Sequence, residues 1–303
     1  MNNGVISILK PPGLTSHDIV AIVRRKLRIK RVGHTGTLDP MAAGVLPICI
    51  GKGTKIVDFL MADRKVYRAE LTLGSMTDTQ DRWGEVLDSS DLEVTEDEIR
   101  AEMSKFIGDI SQIPPMYSAL KHNGRKLYEL AREGKTVERE ARIRTIFSLD
   151  IISVDANKVI FDVSCSKGTY IRTLCHDIGI NLGTFGHMSF LLRKSTGNFN
   201  LNNSITIEEF ENFEVETIHE MIIPVDKALS DFKKIDVSSE IELQMSNGIK
   251  INQIRFSKEP FNSSDLKDKE FILTYCEGMF YGISIYKKAT DEIVMDKLFN
   301  TGD

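Results

Sequence analysis

Residues 33–47 read GHTGTLDPMAAGVLP, and the fold of this chain is read outward from them. Gly33, Gly36 and Pro40 mark a turn, and the apolar run that follows, GVLPICIG at 44–51, reads as a buried strand. One carboxylate, Asp39, stands between the turn and the small residues Ala42, Ala43 and Gly44. An Asp before a proline is ordinarily a turn former. Whether Asp39 is more than that depends on its company.

Upstream, Val5–Leu9 is a strand pattern that KPPGLTS breaks, because two prolines and a glycine cannot continue a ladder. Ser16 is placed to cap a helix to Leu27 with an Ile19, Val20, Ile22, Val23, Leu27 stripe. Downstream, TKIVDFLM predicts a helix and KVYRAELTLG, from Lys65, an alternating strand. Thr95 and Glu98 form a capping box for a helix that Gly108 stops. Asn123-Gly124 suits a tight turn, and LYELARE a short helix ending at Gly134. Two strands meet near Asn157, TYIRTLCHDIGINLG is helical to Gly183, and HMSFLLRKSTGNF is a strand and turn. Thr206 and Glu209 box an acidic helix. Mixed elements without regular βαβ alternation predict an α+β fold with a mixed, largely antiparallel central sheet flanked by helices. From about residue 226 strand patterns dominate, so we expect a first domain at 1–225 and a small β-rich domain at 226–303.

The chain of 303 residues is long enough for two domains. No apolar run approaches the ~20 residues that span a bilayer, and the N-terminus lacks the pattern of a signal peptide. Cys49, Cys165, Cys175 and Cys276 show no CxxC spacing and read as reduced thiols of a cytoplasmic protein, with no metal site. The net charge of −5 is uneven: residues 201–303 carry 11 Lys/Arg against 20 Asp/Glu, whereas residues 1–60 carry nine against three. An acidic whole excludes a purely electrostatic nucleic-acid binder, and a local basic face on the first domain stays open. The Arg24–Arg31 cluster also suits the C-terminal end of a helix dipole.

Common signatures fail. IGKGTK at 50–55 suggests a P-loop, but Leu46 and Gly53 stand where that motif needs Gly and Ser/Thr. GxGxxG, HExxH and GxSxG are absent. What remains is Asp39 in its turn, Tyr67 in a strand, and Tyr170 with Arg172 opening a helix after SKG. Singly, each has an ordinary explanation in packing or solvation.

The set is more telling. LKPPGLTSHDIV, GHTGTLDPMAAGVLP, KVYRAELTLG, SQIPPMYSALKHNGRKLYELAREG, SKGTYIRTL and LLRKSTGNF occur in this order. Together they resemble the TruB family, the bacterial tRNA pseudouridine-55 synthases, over about residues 5 to 200. The resemblance implies a pseudouridine synthase fold, with the tail compatible with a PUA-like RNA-binding domain. It implies that uridine 55 in the TΨC loop of tRNA is flipped out, detached at N1 and rejoined through C5, with no cofactor and no metal. Asp39 would be the catalytic carboxylate, acting at C1′, at C6 or as a base at C2′, with Arg172 as its partner. Tyr67 would hold the uracil, Tyr170 and Leu191 would line the pocket, and His34 would fill the space the base leaves. Lys10 and Pro11 would support the turn. Residues 104–145 would form a thumb over the T-arm, with Lys121, Arg125, Lys126, Arg132, Lys135 and Arg139 facing phosphate. No protein partner and no membrane are implied, and a monomer is expected. The other readings are a non-catalytic tRNA-binding or tRNA-folding protein and a synthase acting on other RNA.

Overall fold

The computed structural model describes residues 3–61, 64–247 and 249–300. Its main strands are β1 (Gly4–Lys10), β2 (Val32–His34), β3 (Ala43–Ile50), β4 (Arg64–Leu73), β5 (Gly108–Gln112), β6 (Arg142–Asp155), β7 (Lys158–Ser166) and β8 (Gly186–Thr196). With three shorter strands they make one 11-stranded sheet among the described residues, its spine ordered β1-β3-β8-β4-β7-β6-β5. The two-residue strand Ile205–Thr206 extends it beyond β1, in parallel. The β3–β8 pair is also parallel, while the other pairings are antiparallel. The fold is therefore α+β with a largely antiparallel sheet, as the mixed pattern predicts.

β4 shows how sequence sets a face. Its period of two buries Lys65, Tyr67, Ala69, Leu71 and Leu73 together. On the other face Asp162 of β7 joins Arg68 at 2.8 Å and Lys194 of β8 at 2.7 Å. Helices α1 (Ser16–Leu27), α2 (Glu96–Ser104), α4 (Ile171–Leu182) and α5 (Ile207–Asn212) flank the sheet, while α3 (Leu127–Arg132) packs by the Lys121–Lys126 hairpin. Ile19, Val23, Leu174 and Phe210 enter its main core.

Three local expectations need correction. The cap of α1 is Thr15, not Ser16: Asp18, three residues on, closes a capping box at 2.8 Å from Thr15 N. Ser16 has no carboxylate at that spacing and is freed for another contact. α2 ends at Ser104; Gly108, at φ 105°, opens β5. The expected helix at 54–61 is a 3-10 turn, Gly51–Ile56, and one helical turn, Val57–Leu60. There the Thr54 hydroxyl donates to Gly51 O at 2.9 Å.

A second sheet comprises β9 (Lys233–Val237), β10 (Phe271–Cys276), β11 (Met279–Lys287) and β12 (Glu292–Leu298) in that order. Left-handed Glu277 and Gly278 turn β10 into β11, and Asp291 turns β11 into β12. Val225–Ala228 is a short helix whose Val225 and Ala228 share an apolar core with Val5, Val45, Leu273 and Ile283. The two sheets thus bury one another's side chains. Lys52 and Lys55 donate to Phe299 O and Leu298 O at 2.9 and 2.7 Å. Part of the N-terminal basic excess therefore serves the fold. Arg24 likewise donates to Val32 O at 2.9 Å, and Arg25 pairs with Glu211 at 3.1 Å. The four cysteines are buried and unbridged. No helix among the described residues is long and apolar enough to cross a membrane.

Candidate active site

The Asp39 loop, between β2 and β3, is pinned at nearly every residue. Gly36 N donates to His34 Nδ1 at 3.3 Å, and Gly36 O accepts from Arg193 at 3.2 Å. Leu38 N donates to Ser16 Oγ at 2.9 Å, so the serine displaced from the cap anchors the loop. Pro40 O accepts from Gly13 N and from Lys10 Nζ, both at 2.9 Å. Ala42 N closes a turn onto Asp39 O at 3.0 Å, with Pro40 at the second position that such turns favour. A backbone held at so many points orients its one carboxylate before any substrate arrives.

That carboxylate meets Arg172, in the first turn of α4. Arg172 Nε lies 3.0 Å from Asp39 Oδ2. Nη1 donates to Thr79 O at 3.1 Å, and Nη2 to Tyr117 O at 2.8 Å. Asp81 is 3.7 Å from Nη1. The Arg172 side chain is 6% exposed and that of Asp39 42%, so the guanidinium is enclosed while the carboxylate faces an opening.

The opening is a cavity of about 190 Å³, too small for a drug-sized ligand and suited to one ring. Asp39, Lys65, Tyr67, Tyr170, Arg172 and Leu191 line it. Tyr67 is buried, and burial raises its phenol so that it stays protonated at neutral pH. Tyr170 precedes α4, where the buried Gln112 clamps its backbone, accepting from Tyr170 N and donating to Tyr170 O, both at 3.1 Å.

Of the residues expected at the site, Asp39, Tyr67, Tyr170, Arg172 and Leu191 converge on this cavity. His34, Lys10 and Pro11 do not line it. His34 lies beside the loop, edge-on to His17 at 5.4 Å between ring centroids. Burial, then the proximity of His17 and Arg193, hold its imidazole near pKa 4, hence neutral. Lys10 Nζ donates to Pro11 O, Leu14 O and Pro40 O at 2.7–2.9 Å, tying KPPGL to the Asp39 loop. In the segment expected to form a thumb, the Asn123-Gly124 turn joins Lys121–His122 to Arg125–Lys126. Arg125 and Lys135 there both pair with Glu133.

Sequence reasoning missed Asp81, Gln112, Lys65 and Arg193. Arg193 is 1% exposed and donates to Val45 O at 2.8 Å as well as to Gly36 O. It sits across from Gly44 on one neighbouring strand and Tyr67 on the other. Lys65 could have been found from the period of two, since it precedes Tyr67 on the same face. Asp81 and Gln112 carry no local signal.

Comparison with known proteins decides the family. The family model described as TruB family pseudouridylate synthase, N-terminal domain, matches residues 24–171. A tRNA pseudouridine synthase B of Alkaliphilus oremlandii is 50% identical over 285 residues, 94% of this chain and 93% of the relative. The chain belongs to the TruB family of pseudouridylate synthases. A TruB relative from Clostridium tetani, also a tRNA pseudouridine synthase B, is 46% identical across 96% of this chain and 98% of its own. The family model for the tRNA pseudouridylate synthase B C-terminal domain matches residues 172–230. The TruB fold here is similar to a chain in a crystal structure of a Cbf5-Nop10-Gar1 complex, with TM-score 0.73, 26% identity and coverage of 98% of this chain and 85% of that one.

Proposed function

We propose that this TruB-family chain isomerises uridine 55 in the TΨC loop of tRNA to pseudouridine, with Asp39 as its catalytic carboxylate. As a pseudouridylate synthase it is an isomerase acting on tRNA. The observation that carries the finer reading is the Asp39–Arg172 pair at 3.0 Å, opening into a ring-sized cavity lined by Tyr67, Tyr170 and Leu191. A base stacked inside an RNA loop cannot reach such a cavity, so the nucleotide is flipped into it. Tyr67 supports the base, Tyr170 and Leu191 bound it, and Arg172 holds and aims the Asp39 carboxylate. Asp39 then engages the ribose or the ring, and C5 replaces N1 at C1′. An isomerisation exchanges one bond for another without net redox change, so the reading calls for no redox cofactor.

His34 fills the place of the flipped base, and Lys10 with Pro11 braces the loop. The segment 104–145 closes over the T-arm. We assign residues 1–225 to the catalytic domain and 226–303 to a PUA-like domain. The protein acts as a cytoplasmic monomer. The test is incubation with an unmodified tRNA transcript followed by mapping of pseudouridine by carbodiimide-dependent primer-extension stops. A single stop reporting position 55 is expected. Pseudouridine at other positions only, or none, would contradict the proposal.

A further inference from the structure

Four cations surround the Asp39 loop, and three of them hold hydrogen-bond partners, although the buried Arg193 Nη1 has none. Lys10 is bonded to three carbonyls, Arg193 to two, and Arg172 to two carbonyls and Asp39. Lys65 differs. It is 9% exposed, lines the cavity and sits two residues before Tyr67 on the same face of β4. Among the described residues its ammonium has no hydrogen-bond or ion-pair partner within reach. A Cβ placed on Gly36 would lie 3.4 Å from Lys65 Nζ, so the ammonium rests directly against the Asp39 loop. Burying an ammonium with three unspent donors is costly unless something else satisfies it.

The isomerisation supplies that something. If Asp39 acts at C1′ or C2′, the N1–C1′ bond breaks with its electron pair left on the uracil, spread over N1, O2 and O4. If Asp39 adds at C6, the ring's double-bond pair moves towards O4. Each route builds negative charge on a base carbonyl inside the cavity. When C5 bonds to C1′ the pair enters the new C–C bond, the C5 proton leaves to water, and N1 regains a proton from water. A fixed cation beside that oxygen is stronger in the transition state than in the ground state, as rate enhancement requires.

We infer that Lys65 is a further catalytic residue, whose ammonium stabilises the negative charge that develops on the uracil carbonyls while keeping its own protons. This rests on the proposed isomerase reading of the cavity. The titratable and charged groups around Lys65 are Arg193 from β8, Cys165 from β7, Lys167 in the following turn, Tyr67 on its own strand, and Asp39, Tyr170 and Arg172 across the cavity. Burial, then Arg193, lowers Lys65 to about 8, so the ammonium is present below that pH and lost above it. Burial raises the Cys165 thiol to about 11, away from this range. Lys10 is also lowered to about 8, so the test must separate the two lysines.

The experiment is tritium release from 5-³H-uridine tRNA, as kcat/KM against pH from 6 to 9, for wild type, Lys65→Met and Lys65→Arg. Wild type should lose activity as pH rises through about 8. Lys65→Met should react ~10²–10³-fold more slowly in single turnover at neutral pH, with tRNA affinity little changed. Lys65→Arg should remain within about tenfold of wild type and lose the alkaline limb, because guanidinium does not titrate there. Lys65→Met within about threefold of wild type would overturn the inference. So would a limb that persists in Lys65→Arg, which would belong to Lys10. If Lys65→Met does not fold, the wild-type and Lys65→Arg profiles still decide. No release by wild type itself would instead overturn the isomerase reading.

Discussion

Arg172 holds Asp39 with one nitrogen and the Tyr117 backbone with another: Nε is 3.0 Å from the Asp39 carboxylate, and Nη2 is 2.8 Å from Tyr117 O. Lysine offers one nitrogen and cannot span both partners together with Thr79 O. Arg172→Lys should therefore slow single turnover by ~10²-fold or more while leaving tRNA affinity nearly intact. Arg172→Ala should also cost about 1–3 kcal/mol in urea unfolding, because enclosed carbonyls lose their donor.

Tyr67 contributes a ring and a hydroxyl. Since burial keeps the phenol protonated, the hydroxyl can donate within the cavity. Tyr67→Phe is expected to lower the rate of tritium release by ~10-fold or more with unchanged tRNA affinity. A rate equal to wild type would leave the ring alone as the contribution.

Backbone contact at the far end of the loop sets a stability prediction. Gly44 has φ 115°, and a Cβ there would stand 2.3 Å from Arg193 O. Gly44→Ala must push the paired strands β3 and β8 apart, at a cost of about 2–4 kcal/mol. Gly124 also has a positive φ, 83°, but nothing lies within 4 Å of its Cβ position. Gly124→Ala should cost only about 1 kcal/mol. Urea midpoints compare the two.

His34 should make stability depend on acid pH. Its folded pKa, about 4, lies below the ordinary imidazole value of 6.5, so the unfolded chain takes up the proton first. Its contribution is complete above 6.5 and is lost as pH falls from there towards about 4. The drop in urea midpoint between pH 7 and pH 5 should be smaller in His34→Ala than in wild type. Loss of selectivity among tRNA loop variants in His34→Ala would further support its place beside the flipped base.

Trypsin offers a probe of the thumb. Lys121, Arg125, Lys126, Arg132, Lys135 and Arg139 lie between the Pro114-Pro115 break and β6. Closure on RNA should slow cleavage there several-fold at low salt. Equal cleavage with and without tRNA would speak against closure.

Much of this was legible in the sequence where a local rule fixes the outcome. The period of two in β4, the Thr95–Glu98 and Thr206–Glu209 boxes, and Gly183 ending α4 all follow neighbours a few residues apart. The cap of α1 was misread because Thr15 and Ser16 are both competent caps, and only Asp18 at the right spacing separates them. Long-range closure was not legible. Asp81 reaches Arg172 across 91 positions and Gln112 clamps Tyr170 across 58, contacts that exist only once the sheet is assembled. Lys65 and Arg193 look like strand cations with solvated tips until their neighbours bury them.

The central claim is that Asp39 performs the isomerisation. The most direct measurement is tritium release from 5-³H-uridine tRNA by wild type and Asp39→Asn, with tRNA affinity measured in parallel. The account predicts release by wild type, loss of at least ~10³-fold in Asp39→Asn, and unchanged tRNA binding. Release by Asp39→Asn within about tenfold of wild type would contradict it.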